Sequence, residues 1–235
     1  QGGVEKVGLS GAFIKFTLPD GQKVVVEKEI PGHYAAIELI LSILTSTEYG
    51  AIASLEEIGA VGHRVVHGGE KFNSSVVITD EVIEAIKQCS DMAPLHNPAN
   101  LIGIETMASI LPGVAQVAVF DTAFHQTMPA CAYMYGTPYE AYQKYGVRRY
   151  GFHGTSHRYV SQRVCEFLGI KPEGTKIITC HVGNGGAITA VKDGKSIDTS
   201  MGFTPLEGLL MGTRSGDIDA GAVTYIMDKE GLDTK

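Results

Sequence analysis

His181-Val182-Gly183-Asn184-Gly185-Gly186 lies between two apolar runs, Ile177–His181 and Ala187–Val191. How that glycine stretch is read decides the fold. No Gly-Lys-Ser/Thr follows it, so it is not a Walker-type phosphate loop, and a strand rather than a helix comes next, so it is not a dinucleotide fingerprint. A tight turn between two strands remains. In such a turn successive backbone N–H groups can face one side, and the missing side chains let phosphate oxygens approach closely. The same residues also make a plain hairpin turn, and alone they do not separate the two readings.

Downstream, Lys192-Asp193-Gly194 turns the second strand into a third around Ser196-Ile197-Asp198, and Asp219 to Met227 has helical texture. Upstream, Val160, Val164 and Leu168 space a helix over 156–168, with Gly169 at its C-cap position. Six tyrosines between Tyr133 and Tyr150 mix with Gly and Pro, which predicts an irregular segment. Ala115–Phe120 is a buried strand ending at Asp121, and Asn97-Pro98 starts a helix that Pro112-Gly113 stops. Thr79 caps a short helix with Asp80 and Glu81 in its first turn. Ala60–Val66 is a strand, Tyr34–Leu44 a helix, and Pro19-Asp20-Gly21-Gln22 the turn of a hairpin over 12–27. Strands and helices interleave throughout, so the class is α/β with some antiparallel pairing.

Composition narrows the function. Glycine makes up 29 of 235 residues, well above the ~7% average, yet no G-X-Y period accompanies it, so the excess sits at particular backbone positions. A net charge of −7 without a Lys/Arg block argues against nucleic-acid partners and anionic membranes. No apolar run approaches the ~20 residues of a membrane span. Cys89, Cys131, Cys165 and Cys180 lack zinc or redox spacing and read as reduced thiols of a cytoplasmic protein.

Five stretches can carry chemistry. Two frame an arginine with glycines, Gly62-His63-Arg64-Val65-Val66-His67-Gly68-Gly69 and Gly212-Thr213-Arg214-Ser215-Gly216-Asp217. An Arg presented this way keeps its planar fork free for an anion. Asp121 stands at a strand end, His153 opens a helix, and the Gly183–Gly186 turn is the fifth element. Each alone is explained as an ordinary loop residue. Together they suit phosphoryl transfer between anionic partners, which needs positioning and charge neutralisation more than covalent help. There is no G-x-S-x-G nucleophile elbow. His153 and His157 have metal-ligand spacing but straddle a Gly-rich helix start.

Gly62–Gly69, Pro94-Leu95-His96-Asn97-Pro98, Val119–Pro129, Tyr150–His157, His181–Gly186 and Asp198–Asp219 resemble the acetate kinase family nearly end to end. The run Asp198-Thr199-Ser200-Met201-Gly202-Phe203-Thr204-Pro205-Leu206-Glu207-Gly208 carries most of the specificity. The resemblance implies the acetate and sugar kinase, Hsp70 and actin superfamily: two ribonuclease-H-like lobes of an actin-like ATPase fold around a nucleotide cleft, incomplete here. Residues 1–124 would be the remainder of the acetate-side lobe and 125–235 the first part of the nucleotide-side lobe.

The implied activity is ATP + acetate ⇌ ADP + acetyl phosphate, by direct in-line transfer with Mg²⁺ (or Mn²⁺). Arg64 and Arg214 would hold the carboxylate and the moving phosphoryl group, and His153 with Arg214 would stabilise its charge in the transition state. Asp121 would be the essential carboxylate. Because acetate is already ionised, with a pKa of roughly 4, holding hydrated Mg²⁺ or orienting Arg64 suits it better than base catalysis. His181, Val182, Gly183, Asn184 and Gly185 would line the nucleotide phosphates. Val66, Leu95, Phe152 and Pro205 would form the pocket for the acetate methyl group, with His96 in support.

Ala187 stands where the family often has Ser, and Asp219-Ala220 where Asp-Pro is common. The family's opening strand and Ser-rich phosphate turn have no counterpart. Its adenosine-binding loops and metal ligands are expected outside 1–235, so none of the metal ligands falls in this chain. The chain, which opens Gln1-Gly2-Gly3, is therefore expected to be an internal segment lacking both ends. The alternatives are a propionate kinase, one methylene and ~1–3 kcal/mol away in selectivity, or an inactive anion-binding fragment. The family also implies a homodimer.

Overall fold

The computed structural model describes residues 1–233. They form two compact units between which the chain passes repeatedly. The first comprises Gln1–Arg64, Val76–Ser90 and Pro94–Ala118; the second comprises Val65–Ser75, Asp91–Ala93 and the chain from Val119 onward.

In the first unit, strands β1 (Gly2–Glu5), β2 (Phe13–Thr17) and β3 (Lys23–Glu27) form an antiparallel meander. The β2–β3 hairpin is the expected one. β1 is an addition, since Gly-Gly-Val-Glu has no strand signal of its own and gains order by pairing with β2 from Gly2↔Phe16 to Glu5↔Phe13. Alternation along β2 buries Ile14 and half-buries Phe16, and helix α1 (His33–Leu44) lays Ala36 and Leu39 on them to make this unit's core with Ala12 and Ile30. Each large aliphatic buried there contributes ~1.5–3 kcal/mol.

A second sheet has the order β4 (Ala60–Val65), β6 (Ala115–Phe120), β5 (Val76–Val77), with β5 and β6 antiparallel. Helix α2 (Asp80–Gln88) begins at Thr79, whose hydroxyl accepts from Val82 N–H. Helix α3 (Asn97–Ile110) starts at the expected place, but Asn97 is not its cap. Its fully buried amide donates to the Ile86 carbonyl at 3.1 Å, joining Cys89 N–H and the Ser90 hydroxyl on the last turn of α2.

In the second unit the tyrosine-rich segment is more regular than its sequence suggests, with two short helices, α4 (Ala130–Tyr133) and α5 (Tyr139–Tyr145). Helix α6 (Gly154–Leu168) ends at Gly169 in the left-handed region and packs along the antiparallel meander β7 (Lys176–Val182), β8 (Gly186–Lys192), β9 (Lys195–Thr199). The layer between helix and sheet is polar. His157 Nδ1 meets the Thr179 hydroxyl at 2.7 Å and Thr189 meets Thr199 at 2.8 Å, all buried. Helix α7 (Ala220–Glu230) follows, capped by the Asp219 carboxylate, which accepts from Gly221 N–H. No helix among the described residues is long and apolar enough to cross a membrane.

Candidate active site

The site of the second unit is built on the β7–β8 turn and the start of α6. The hairpin register puts His181 opposite Ala187 and Val182 opposite Gly186, leaving Gly183-Asn184-Gly185 as the connecting turn. Its bareness has a use. A β-carbon at Gly185 would lie 3.0 Å from Cε1 and 3.3 Å from Nε2 of His153, and 3.4 Å from Nη1 of Arg214. Two side chains 61 positions apart in sequence thus converge on one glycine.

His153 is held there by its backbone. It takes φ 56°, ψ 24° as the N-cap of α6, a left-handed conformation costly for a non-glycine residue. Three contacts impose it. Gly154 N–H donates to the Asp121 carbonyl at 2.9 Å, Tyr150 N–H donates to the Gly202 carbonyl at 3.0 Å, and His125 Nε2 donates to the Phe152 carbonyl at 3.0 Å. Because that carbonyl only accepts, His125 carries its proton on Nε2 and accepts the Ser196 hydroxyl at Nδ1.

The His153 ring stacks on His181, centroids 4.0 Å apart with 22° between planes. His181 is oriented in turn by Ser156, 2.9 Å from Nδ1. Ser156 lies inside Tyr150–His157, and its place in the first turn of α6 was the signal that could have singled it out. Burial holds neighbouring histidines neutral: it lowers His125 and His67 to about 4 and, with smaller contributions from the neighbouring imidazoles, lowers His157 to about 3.

Arg214 is half-buried. Its Nη1 donates to the Pro205 carbonyl at 3.0 Å and lies 3.6 Å from the Met211 sulfur, so Pro205 touches the arginine through its backbone. Beside it, Val66 and Phe152 form one buried apolar cluster with Ala93, Ala187 and Met201, against which Met211 packs. The last four were not foreseen, since nothing local in a small or flexible apolar side chain marks it as a pocket wall. Ala187 is fully buried there, so a Ser hydroxyl at this position would have entered an apolar cluster.

Asp121 is 2% exposed, and its N–H donates to the Val65 carbonyl at the end of β4. Asn184 is exposed near Gly212, and Val182 is 82% exposed. Arg64 and Leu95 belong to the first unit: Arg64 is exposed on β4, and Leu95 is 85% exposed just before α3. Among the described residues no group of three or more His, Cys, Asp or Glu side chains could hold a metal ion.

The acetokinase family model matches residues 1–235. The chain belongs to the acetokinase family. It is 71% identical over 234 residues to an acetate kinase of Bacteroides fragilis, spanning 100% of this chain and 59% of that relative. It is 62% identical to an acetate kinase of Desulfitobacterium hafniense, over 99% of this chain and 58% of the relative. Among solved structures, the acetate kinase of Porphyromonas gingivalis matches with a TM-score of 0.92 at 60% identity, covering 100% of this chain and 59% of that one. A propionate kinase from Francisella tularensis matches with a TM-score of 0.91 at 45% identity, over 99% and 58%. The family's mixed α/β fold is thus shared along the chain, which spans about three fifths of the length of these relatives.

Proposed function

We propose that this chain carries the phosphoryl-transfer centre of an acetate kinase, which moves the γ-phosphoryl group of ATP reversibly to acetate. The observation that carries this reading is the convergence of His153 and Arg214 on Gly185. A planar guanidinium and an imidazole aimed at the same bare backbone suit a trigonal phosphoryl group, whose charge spreads over its equatorial oxygens in flight. Arg214 neutralises that charge, and His153 donates to one oxygen. Neither group needs to move a proton, because acetate is an ion at neutral pH. The Val66–Phe152–Met201 cluster supplies an apolar wall for a methyl group and keeps water from the reacting acyl phosphate.

The finer assignments follow the family. For Arg64 we propose the family's role of binding the carboxylate, and for Leu95 and Pro205 that of contacting the methyl group. Asp121 is the supporting carboxylate, and His181 to Gly185 face the nucleotide phosphates. For the lobes we propose the family's division, 1–124 and 125–235, beside the compact units whose last changeover is at Ala118/Val119. The family implies a divalent metal with the nucleotide; we assign it as Mg²⁺ and place a homodimeric whole enzyme in the cytoplasm.

Acetyl phosphate trapped as the hydroxamate tests the reading, on this chain and on a version extended at both ends to the length of its relatives. Product from either supports it, and product from neither overturns it in favour of an inactive anion-binding fragment. The close match to a propionate kinase structure favours one second reading, propionate as acceptor. Comparing kcat/KM for the two acids decides between them, within the ~10–200-fold that one methylene is worth.

A further inference from the structure

The loop that carries Arg214 is closed at its base. Gly208 N–H donates to the Asp217 carboxylate at 2.7 Å, and Asp217 N–H donates to the Gly208 carbonyl at 2.8 Å. Inside the loop, Met211 and Arg214 form a two-residue bridge, and Arg214 reaches back to the Pro205 carbonyl.

Glu207 stands immediately before that base, and its two carboxylate oxygens go to different partners. Oε1 pairs with Nη2 of Arg149, and Oε2 accepts the Tyr135 hydroxyl. Nη1 of Arg149 faces three successive carbonyls, Thr199 at 2.9 Å, Ser200 at 3.1 Å and Met201 at 3.3 Å. The Tyr135 oxygen also accepts Phe203 N–H at 2.8 Å. One guanidinium, one carboxylate and one phenol therefore tie down the stretch from Thr199 to Glu207. Gly202 is where they cross: a β-carbon there would fall 1.8 Å from Glu207 Oε2 and 2.3 Å from the Tyr135 oxygen. Burial and the Glu207 carboxylate raise the Tyr135 hydroxyl well above the usual tyrosine value, so it stays a donor.

We infer that Tyr135, Arg149 and Glu207 form a positioning clamp for Arg214. The clamp fixes the Pro205 carbonyl that the Arg214 guanidinium bonds and the Gly208 hinge from which its loop springs. What Arg214 does once positioned rests on the acetate kinase reading. The clamp itself does not. Its geometry depends on the forked guanidinium of Arg149, since a lysine ammonium is a point charge without the fork that reaches carbonyls and carboxylate together.

Trypsin reads the clamp directly, because it cleaves after Arg214 only as fast as the 208–217 loop opens. The rate is followed by mass spectrometry against cleavage after Arg163, which lies on α6 outside the network and reports unfolding elsewhere in the unit. Glu207→Gln and Arg149→Lys are expected to speed cleavage after Arg214 by about tenfold or more and leave Arg163 within about twofold. Tyr135→Phe, which removes one oxygen, serves if either of the others fails to fold. In whichever length of chain forms hydroxamate, the same variants should lower kcat at least about tenfold with KM for ATP nearly unchanged. Equal acceleration at both sites, or none at Arg214, overturns the clamp. Selective loosening with kcat unchanged overturns its positioning role. If the unsubstituted protein forms no acetyl phosphate at either length, the acetate kinase reading fails while the cleavage rates still decide on the clamp.

Discussion

His153 and His181 stack face to face at 4.0 Å, one at the crest of a strained turn and the other at the end of a strand. The stack, the Ser156 bond to His181 and the approach of both His153 and Arg214 to Gly185 make one small surface from three separate stretches of chain. Its parts differ in what they do for stability, and that difference can be measured.

His153→Gly separates strain from chemistry. Glycine relieves the left-handed backbone, worth roughly 1 kcal/mol, against the loss of the ring stack. Unfolding free energy is expected to stay within about 1 kcal/mol of the parent by urea titration, while turnover falls ~10²-fold or more. A parallel loss of both would make His153 a structural residue.

Arg214→Ala should act in the same sense. Removing a donor aimed at developing charge costs ~10²–10³ in kcat. A half-buried arginine holding one backbone carbonyl at 3.0 Å contributes only ~1 kcal/mol to folding. Hydroxamate assays beside thermal unfolding check the split; a stability loss that accounts for the lost activity would refute it.

Ala187→Ser probes the apolar wall. The new hydroxyl would enter the cluster of Val66, Phe152 and Met201 and is expected to cost about 1–3 kcal/mol. Denaturant midpoints measure it. A neutral effect would mean that the hydroxyl finds a partner in the cluster.

Acid should destabilise the second unit early. His67 and His125 are lowered to about 4 and His157 to about 3 by burial, against 6.5 in the unfolded chain. Below pH 6.5 the unfolded state takes up protons that the folded state refuses, so stability falls with pH until about 4 for the first two and about 3 for the third. Each group adds a slope of at most ~1.4 kcal/mol per pH unit. Urea midpoints should therefore be level above pH 7 and drop between 6.5 and 4, with a shallower drop in His157→Gln. A midpoint unchanged between pH 7 and 5 would contradict this.

Local chemistry was legible where a signal is short-ranged. The Thr79 cap, the Pro98 helix start, the Asp20-Gly21 turn and the glycine turn after His181 each depend on neighbours within four residues, and each lies in the expected element. The short helices α4 and α5 were not visible, because tyrosine is a poor helix signal and Arg148 holds that region from afar, its guanidinium 3.7 Å over the Tyr133 ring and paired with Glu70. Asn97 stands at the expected helix start, but its side-chain bond to the Ile86 carbonyl, eleven residues earlier, had no local signal.

The sequence by itself determined the α/β class, the family, and the glycine-framed residues Arg64, His153, Asn184 and Arg214. All of these are carried by residue type and spacing along the chain. Tertiary structure alone decided that His153 and Arg214 share Gly185, that Ala93, Ala187 and Met201 join Val66 and Phe152, and that Arg149 and Glu207 brace the Arg214 loop. Those relations join residues tens of positions apart, and burial, backbone pinning and close packing set them only when the chain has folded.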